Sequence, residues 1–437
     1  MAMLRRSRAM VTRRHIAARL VFWSGALAIG LVSVGFAIAA DHAQELFLAA
    51  TRDGWRRWLP LLITPAGFVL SAWAAARLFP GTQGSGIPQA IAARELCHLP
   101  GRGGVLSLRI AFGKVLLTVA GLACGASIGR EGPTVQIGAS IMMAAGRYGN
   151  MVRMRGLILA GSAAGIAAAF NTPIAGIVFA IEEMGRSFQA RTNGVVLTTV
   201  IISGIASLWL LGSYTYFGVS HATFGTLKDW LLVGACGICG GLMGAAFSRA
   251  VIWITRRLRR VRAMPALQRT LIVALVAGLI TAVVGILTGG ETWGTGYEQA
   301  RAAIEGEAPE AHFFVAKLLV TLAATVSGIP GGLFAPSLSV GAGLGAMLAG
   351  LIGGQVGLAA ILGMAGYFAG VTQAPLTAIV IIVEMTGNHG NIVPVMASAM
   401  LGYGTARVIS PETLYHALSR LFIADALRRY RSEDRGA

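Results

Sequence analysis

The sharpest chemical feature of the sequence is a glutamate set where charge is scarce. Glu131 sits in Gly129-Arg130-Glu131-Gly132-Pro133, directly after the uncharged run Val115–Gly129. Apolar surroundings favour the neutral form of a carboxyl group, which suits it to exchanging protons. The glycines before it let the chain turn, and a proline in the first turn of a helix forfeits no hydrogen bond. The block therefore predicts a helix that begins at Glu131. Two other segments share this design, Gly84-Ser85-Gly86-Ile87-Pro88 and Gly331-Gly332-Leu333-Phe334-Ala335-Pro336. A helix start offers free N–H groups and the positive end of the macrodipole, so each can face an anion. The dipole alone contributes about 0.3–2 kcal/mol, too little to replace a hydration shell. Hydrogen bonds to a charged group add roughly 1.5–3 kcal/mol each, so several must converge. Three helix starts and a hydroxyl or two can hold an anion without a fixed positive charge, which would bind it too tightly for turnover. At such a place the Glu131 carboxylate can itself occupy the anion site. Protonation would release it and admit an anion from outside, linking the two movements. The plainer alternative pairs Glu131 with Arg130, but adjacent helical residues do not face each other.

Three more acids fall in or beside apolar runs: Glu182, Glu183 and Glu384. Glu182 and Glu183 are adjacent and point in different directions. Glu182 has a counterpart in Glu384, described below, and this suggests a shared structural role such as hydrogen bonding at helix ends. Glu183 is left over and becomes the candidate second proton site.

The elements that must carry these residues are membrane spans. Of 437 residues, 55% are apolar and only 12% charged, about half the roughly 25% usual for soluble chains. No Asp, Glu, Lys or Arg occurs between Leu318 and Val383, and Gly156–Ile181, Gly194–Gly212 and Thr270–Gly290 are also uncharged. A helix crosses a bilayer with about 20 apolar residues, so the chain is expected to be an all-α, multi-pass membrane protein. The net charge of +18 is segregated into Arg5, Arg6, Arg8, Arg13 and Arg14, the stretch 256–262, and Arg428, Arg429 and Arg431. This is the positive-inside pattern rather than a nucleic-acid surface, and it places both termini in the cytoplasm and the chain in the inner (plasma) membrane. The basic run Arg147–Arg155 is not assigned a side. The apolar run Leu20–Ala40 exceeds the core of a signal peptide and reads as a first span.

The sequence is duplicated. KVLLTVAGLACGASIGREGPTVQIGA at 114–139 aligns with KLLVTLAATVSGIPGGLFAPSLSVGA at 317–342, pairing Lys114 with Lys317, Pro133 with Pro336 and Gly138 with Gly341. GSAAGIAAAFNTPIAGIVFAIEEM at 161–184 aligns with GMAGYFAGVTQAPLTAIVIIVEM at 363–385, pairing Pro173 with Pro375 and Glu182 with Glu384. GSGIPQA at 84–90 faces GTGYEQA at 294–300. Duplicated membrane units are typical of secondary transporters, which bind substrate where the repeats meet. Residues alone leave the repeats inverted or parallel. The expected divisions are an N-terminal segment 1–19, a first membrane repeat 20–213, a linker 214–229, a second repeat 230–409, and a C-terminal helical segment with tail 410–437. Lys114 and Lys317 are expected near span ends, in a structural, snorkelling or electrostatic role.

GSGIP at 84–88, GREGP at 129–133 and GLFAP at 332–336, in that order, resemble the hallmark segments of the CLC family of chloride channels and proton-coupled transporters. The likeness runs from the first span to about residue 420. It implies a homodimer with a pore in each subunit and two repeats of inverted topology. It further implies chloride held by Ser85 with the adjoining Gly86 and Ile87, by the N–H groups of Leu333 and Phe334, and by Tyr415 of PETLYHAL. Glu131 would be the gating carboxylate and Glu183 the proton acid facing the cytoplasm. Ser85, where some relatives have proline, fits chloride over nitrate, and the motif is unlike the fluoride-selective branch. The implied function is chloride/proton exchange, the alternative being a passive chloride channel of the same family. The chain stops at Ala437, so the paired cytoplasmic regulatory domains of many relatives, and nucleotide control through them, are not expected.

Enzymatic and metal chemistry find little support. The histidines (His15, His42, His98, His221, His312, His389, His416) are scattered and no HExxH occurs. Gly125-Ala126-Ser127-Ile128-Gly129 matches GxSxG in form, without the strand–turn–helix setting that motif needs. Cys236 and Cys239 form a CxxC in a glycine-rich span with no second pair, and helix packing explains them better than metal or redox chemistry. Neither cofactor nor metal is expected, only chloride as bound substrate.

Overall fold

A computed structural model describes the chain except residues 1, 53, 98–103, 150, 152–153, 186–189, 213–214, 219, 221, 262 and 435–437; at 2–15, 190–193, 429 and 431–434 it describes the backbone alone. His15 lies in the backbone-only region, together with Arg5, Arg6, Arg8, Arg13, Arg14, Arg429 and Arg431. His98, His221, Arg153 and Arg262 lie outside the described residues.

The elements are helices throughout. The first half contains α1 (Ala2–Thr51), α2 (Pro60–Arg77), α3 (Ile87–Glu95), α4 (Leu108–Leu122), α5 (Glu131–Tyr148), α6 (Met154–Phe170), α7 (Pro173–Phe179) and α8 (Ala190–Leu211). A 3₁₀ turn at Gly54–Trp58 follows α1, and a π-helical turn at Ala180–Gly185 extends α7. The second half contains α9 (Leu227–Arg260), α10 (Ala266–Leu287), α11 (Tyr297–Glu305), α12 (Phe313–Val326), α13 (Phe334–Ile352), α14 (Val356–Thr372), α15 (Pro375–Thr386), α16 (Ile392–Ile409) and α17 (Leu414–Asp434). Six stretches are long and apolar enough to cross a membrane: Ile16–Thr51 and Gly194–Leu211, Leu227–Arg260 and Ala266–Leu287, Phe334–Ile352 and Ile392–Ile409. Large apolar side chains such as Leu62, Trp209, Leu287 and Leu351 lie on the outside.

The helix α1 runs unbroken through the join at residues 19 and 20. Within the expected linker, Thr226 and Asp229 form a capping box. Asp229 Oδ2 accepts the Gly225 and Thr226 amides at 3.0 and 2.7 Å, and this fixes the start of α9.

The duplication reappears as matched packing. A side chain at Gly138 would collide with the Gly161 backbone, and one at Gly341 with the Gly363 backbone. These two pairs close the α5–α6 and α13–α14 contacts in the same way. The seam between α9 and α14 is built likewise, with Gly240 and Gly244 against the backbone around Gly366 and Gly370. Cys236 is a buried free thiol in that seam and Cys239 a partly buried one. Such close approaches let dispersion forces act over backbone as well as side chains.

The paired lysines do not reach out of the protein. Both are fully buried. Lys114 Nζ donates to the carbonyls of Thr82 (2.7 Å) and Gly84 (2.5 Å). Lys317 Nζ donates to those of Thr292 (2.9 Å) and Gly294 (2.8 Å). Each Nζ thus braces the loop before a short helix, α3 in one repeat and α11 in the other, and snorkelling is excluded.

Glu182 and Glu384 exchange places across the repeat boundary. The Glu182 carboxylate accepts the amides of Leu376 (3.1 Å) and Thr377 (2.7 Å) at the start of α15. Glu384 accepts those of Ile174 (3.2 Å) and Ala175 (2.7 Å) at the start of α7. Each satisfies orphan donors that a helix start cannot pair internally. The exchange is the mark of a local two-fold between the repeats. Hydrogen bonds to a charged group contribute roughly 1.5–3 kcal/mol each. Glu182→Ala and Glu384→Ala should therefore each lower the melting temperature of the purified protein by several degrees while proton coupling persists. Loss of coupling in Glu182→Ala with unchanged melting would assign that acid to transport instead.

Candidate anion and proton site

Three helix starts meet at one place because their preceding loops are bonded together. The amide of Gly129 donates to the Gly332 carbonyl and the Gly332 amide returns the bond, both at 2.7 Å. The Gly84 amide donates to Ile329, and the Gly331 amide to Gly84, both at 3.1 Å. These bridges register the starts of α3, α5 and α13 against one another. Pro88, Pro133 and Pro336 each lie in the first turn that follows, where their missing N–H costs nothing.

Close approach dictates two of the glycines. Gly86, at φ 105°, would bring a Cβ to 2.7 Å from the Gly132 carbonyl. A Cβ on Gly132 would stand 2.5 Å from Ser85 Oγ and 3.2 Å from the Gly332 Cα. Any larger residue would push the helix starts apart.

Into this junction point the side chains expected there. Glu131 is fully buried, and its carboxylate lies against its own N–H and that of Ala335 at the start of α13. Neither contact has the geometry of a full hydrogen bond, so both carboxylate oxygens stay under-satisfied. Ser85 and Tyr415 bring their hydroxyls side by side, in a contact too loose to satisfy either. Buried polar groups are normally paired. A cluster of under-satisfied oxygens beside free first-turn amides is what a site for a small exchangeable ion requires. Phe334 forms the wall, its ring 4.8 Å from that of Phe368 and 6.1 Å from that of Tyr415. Ser85, Gly86, Ile87, Leu333, Phe334, Tyr415 and Glu131 therefore come together, from the ends of four elements.

Arg130 turns away from Glu131, as adjacent helical residues should. Its guanidinium bonds Asp41 at 2.6 Å and the Ala37 carbonyl at 2.9 Å, and lies over the Tyr216 ring at 5.6 Å. Sequence reasoning missed this anchor because Asp41 is far away in the chain.

A cavity of about 1020 Å³ leads away from Ser85 on the side of α17. Its inner end is Gly84, Ser85 and Pro88, and its mouth carries Arg256, Arg259, Arg260, Arg269 and Arg428 against Asp425. Arg259 is paired with Asp425 at 2.9 Å, leaving a net positive approach. Clefts lined by one sign of charge raise the local concentration of the opposite ion.

Glu183 lies apart from the helix junction, buried on the π-helical turn at Ala180–Gly185. Arg94 Nη1 steadies that turn by donating to the Met184 carbonyl at 2.5 Å. Tyr415 stands between the two acids, close enough to sense the charge of both. His416, the next residue, reaches the Glu183 backbone at 3.2 Å. The adjacency of Tyr415 and His416 in the sequence was the available signal for that contact. Among the described residues, no group of three or more His, Cys, Asp or Glu could hold a metal ion.

Residues 67–407 match a family model described as voltage gated chloride channel. The chain is 33% identical to an H(+)/Cl(-) exchange transporter, ClcA, of Yersinia pseudotuberculosis serotype IB (strain PB1/+), covering 89% of this chain and 84% of the relative. It is 31% identical to the ClcA exchanger of Citrobacter koseri, covering 89% and 85%. Among solved structures it is similar to a slow cyanobacterial Cl-/H+ antiporter, with a TM-score of 0.80 and 26% identity over 93% of this chain and 98% of that one. A CLC-type fluoride/proton antiporter shares the fold at a TM-score of 0.74 and 24% identity, over 92% and 98%. The fold is thus the expected one, all-α and membrane-embedded, with two repeats of inverted topology. With its hallmark segments at one junction and its relatives matched over most of their length, the chain belongs to the voltage gated chloride channel family, CLC.

Proposed function

We propose that the chain is a secondary active transporter that exchanges chloride for protons, with Glu131 as the gating and coupling carboxylate. The observation that carries this reading is the position of Glu131, fully buried at the start of α5 with its carboxylate against the start of α13. Relatives named as H(+)/Cl(-) exchangers support exchange over passive conduction.

The geometry performs the exchange by competition. Ionised, the Glu131 carboxylate takes up the N–H groups that would solvate an anion. Protonated, it loses its attraction for them, and chloride can settle between those amides and the Ser85 and Tyr415 hydroxyls. Chloride leaving toward the arginine-lined cavity returns the amides to the carboxylate, and the proton departs to the other side. The basic side chains beside the junction are engaged by the protein itself, Arg130 by Asp41 and Lys114 by the Thr82 and Gly84 carbonyls. Glu183 receives protons on the far side of Tyr415, and its burial keeps that route separate from the arginine-lined one.

Arg256, Arg259 and Arg260 line the mouth of that cavity together with Arg428 of the C-terminal helix. This supports a cytoplasmic position for that mouth and for both termini, in an inner-membrane protein. We further read the protein as a homodimer with one pore per subunit, needing no cofactor and acting as a transporter rather than an enzyme.

Chloride efflux and pH recorded together from reconstituted liposomes test the whole reading. Stoichiometric proton movement against the chloride gradient is expected, and chloride movement without it would make the protein a channel. Glu131→Ala should keep anion flux and abolish proton movement; wild-type coupling in that variant would show that the wrong acid has been assigned. Glu183→Gln should cut proton movement at least tenfold while chloride still moves, and equal loss of both would assign a folding role. Tyr415→Phe removes one donor to the ion. By the roughly 1.5–3 kcal/mol of such a bond, chloride binding measured calorimetrically should weaken by about tenfold or more, and an unchanged affinity would remove Tyr415 from the site.

A further inference from the structure

Among the histidines whose side chains are described, His416 alone reaches an acid assigned to proton transport. Its Nε2 lies 3.2 Å from the Glu183 carbonyl oxygen and 3.9 Å from Glu183 Oε1. The Glu183 side chain is 5% exposed and that of His416 13%. The ring is therefore the outer member of the pair, between a buried carboxyl group and solvent. A carbonyl oxygen only accepts, so the bond to it requires a hydrogen on Nε2, and the neutral ring then has its lone pair at Nδ1.

We propose that His416 is a proton relay that loads and unloads Glu183, which rests on the reading of Glu183 as the inner proton acid. The ring takes a proton from water at Nδ1 and becomes the imidazolium. It then gives the Nε2 proton to Glu183 Oε1: the Nε2–H bond breaks, the O–H bond forms, and neutral imidazole with hydrogen on Nδ1 remains. Loss of the Nδ1 hydrogen to water and gain of one from water at Nε2, while the ring is swung away from Glu183, reset the ring. Outward and inward transfers use the same atoms in reverse. A short swing closes the 3.9 Å to bonding distance. Histidine suits the task because its ordinary pKa of about 6.5 lies in the range where a cell must load the acid.

The surroundings leave the ring responsive to Glu183. The helix α17 packs against α3, α9 and α14. On α3 the charged groups are Arg94, engaged by the Met184 carbonyl, and Glu95. On α9 they include Arg256 and Arg259, engaged by Glu412 and Asp425. The one titratable side chain of α14 is the buried Tyr367. On α17 itself, Tyr415 points to Ser85 and Arg420 to Glu412. The bland role is mechanical, the ring tying the π-helical turn as Arg94 does.

His416→Gln separates the two roles, since a glutamine amide can keep the bond to the Glu183 carbonyl but cannot titrate. In liposomes with a fixed chloride gradient, His416→Gln should slow proton movement about fivefold or more at pH 7.5. The deficit should narrow toward pH 5.5, where water protonates Glu183 directly, and added imidazole should restore part of the rate. A His416→Gln protein with wild-type rates across this range would overturn the relay. So would a slowed one whose deficit is the same at every pH and unmoved by imidazole. Glu183→Gln run beside it keeps the two readings apart. Normal coupling in Glu183→Gln rejects Glu183 itself, and lost coupling there with a silent His416→Gln rejects the relay alone.

Discussion

Everything in this fold serves a set of backbone amides that have no partner of their own. A helix start leaves its first N–H groups unpaired, and in a membrane there is no bulk water to take them up. The chain begins three helices at a single buried junction, so the cost of unpaired donors becomes a capacity to hold negative charge. A carboxylate on the same chain and a free ion are the two available claimants. In the proposed exchange neither binds while the other holds the place, and that exclusion would couple protons to chloride without any large moving part.

The means of building the junction are ordinary ones placed with care. Glycines at Gly86 and Gly132 allow approaches that a methyl group would block. Prolines enter helices only where their lost donor does not matter. Buried Lys114 organises the loop before α3 through two carbonyls. Its donors are thereby spent on the protein instead of on the transported ion. Arg130 is treated alike, drawn off to Asp41 and the Tyr216 ring. The site remains positive by virtue of dipoles, which bind firmly enough to admit an anion and weakly enough to release it.

Much of this was legible in the sequence because it resides in local patterns. The glycine–proline blocks announced the helix starts, an acid within an apolar run announced Glu131, and the duplication announced the matched roles of Glu182 and Glu384. What stayed hidden depends on contacts between distant segments. Nothing local to Lys114 or Lys317 says that they face loop carbonyls rather than the membrane boundary. The pairing of Arg130 with Asp41 joins residues on separate helices. His416 looked like one of several scattered histidines until α17 brought it to the π-helical turn.

The crossed carboxylates of Glu182 and Glu384 limit how this transporter can move. Each half of the molecule grips a helix end of the other, and the Gly129–Gly332 loop bridge adds another clasp near the middle. Rocking one half against the other, the way many carriers open alternately to each side, would tear several charge-assisted bonds in apolar surroundings at every cycle. The cheaper course is a nearly rigid body in which side chains swing and the frame stands still.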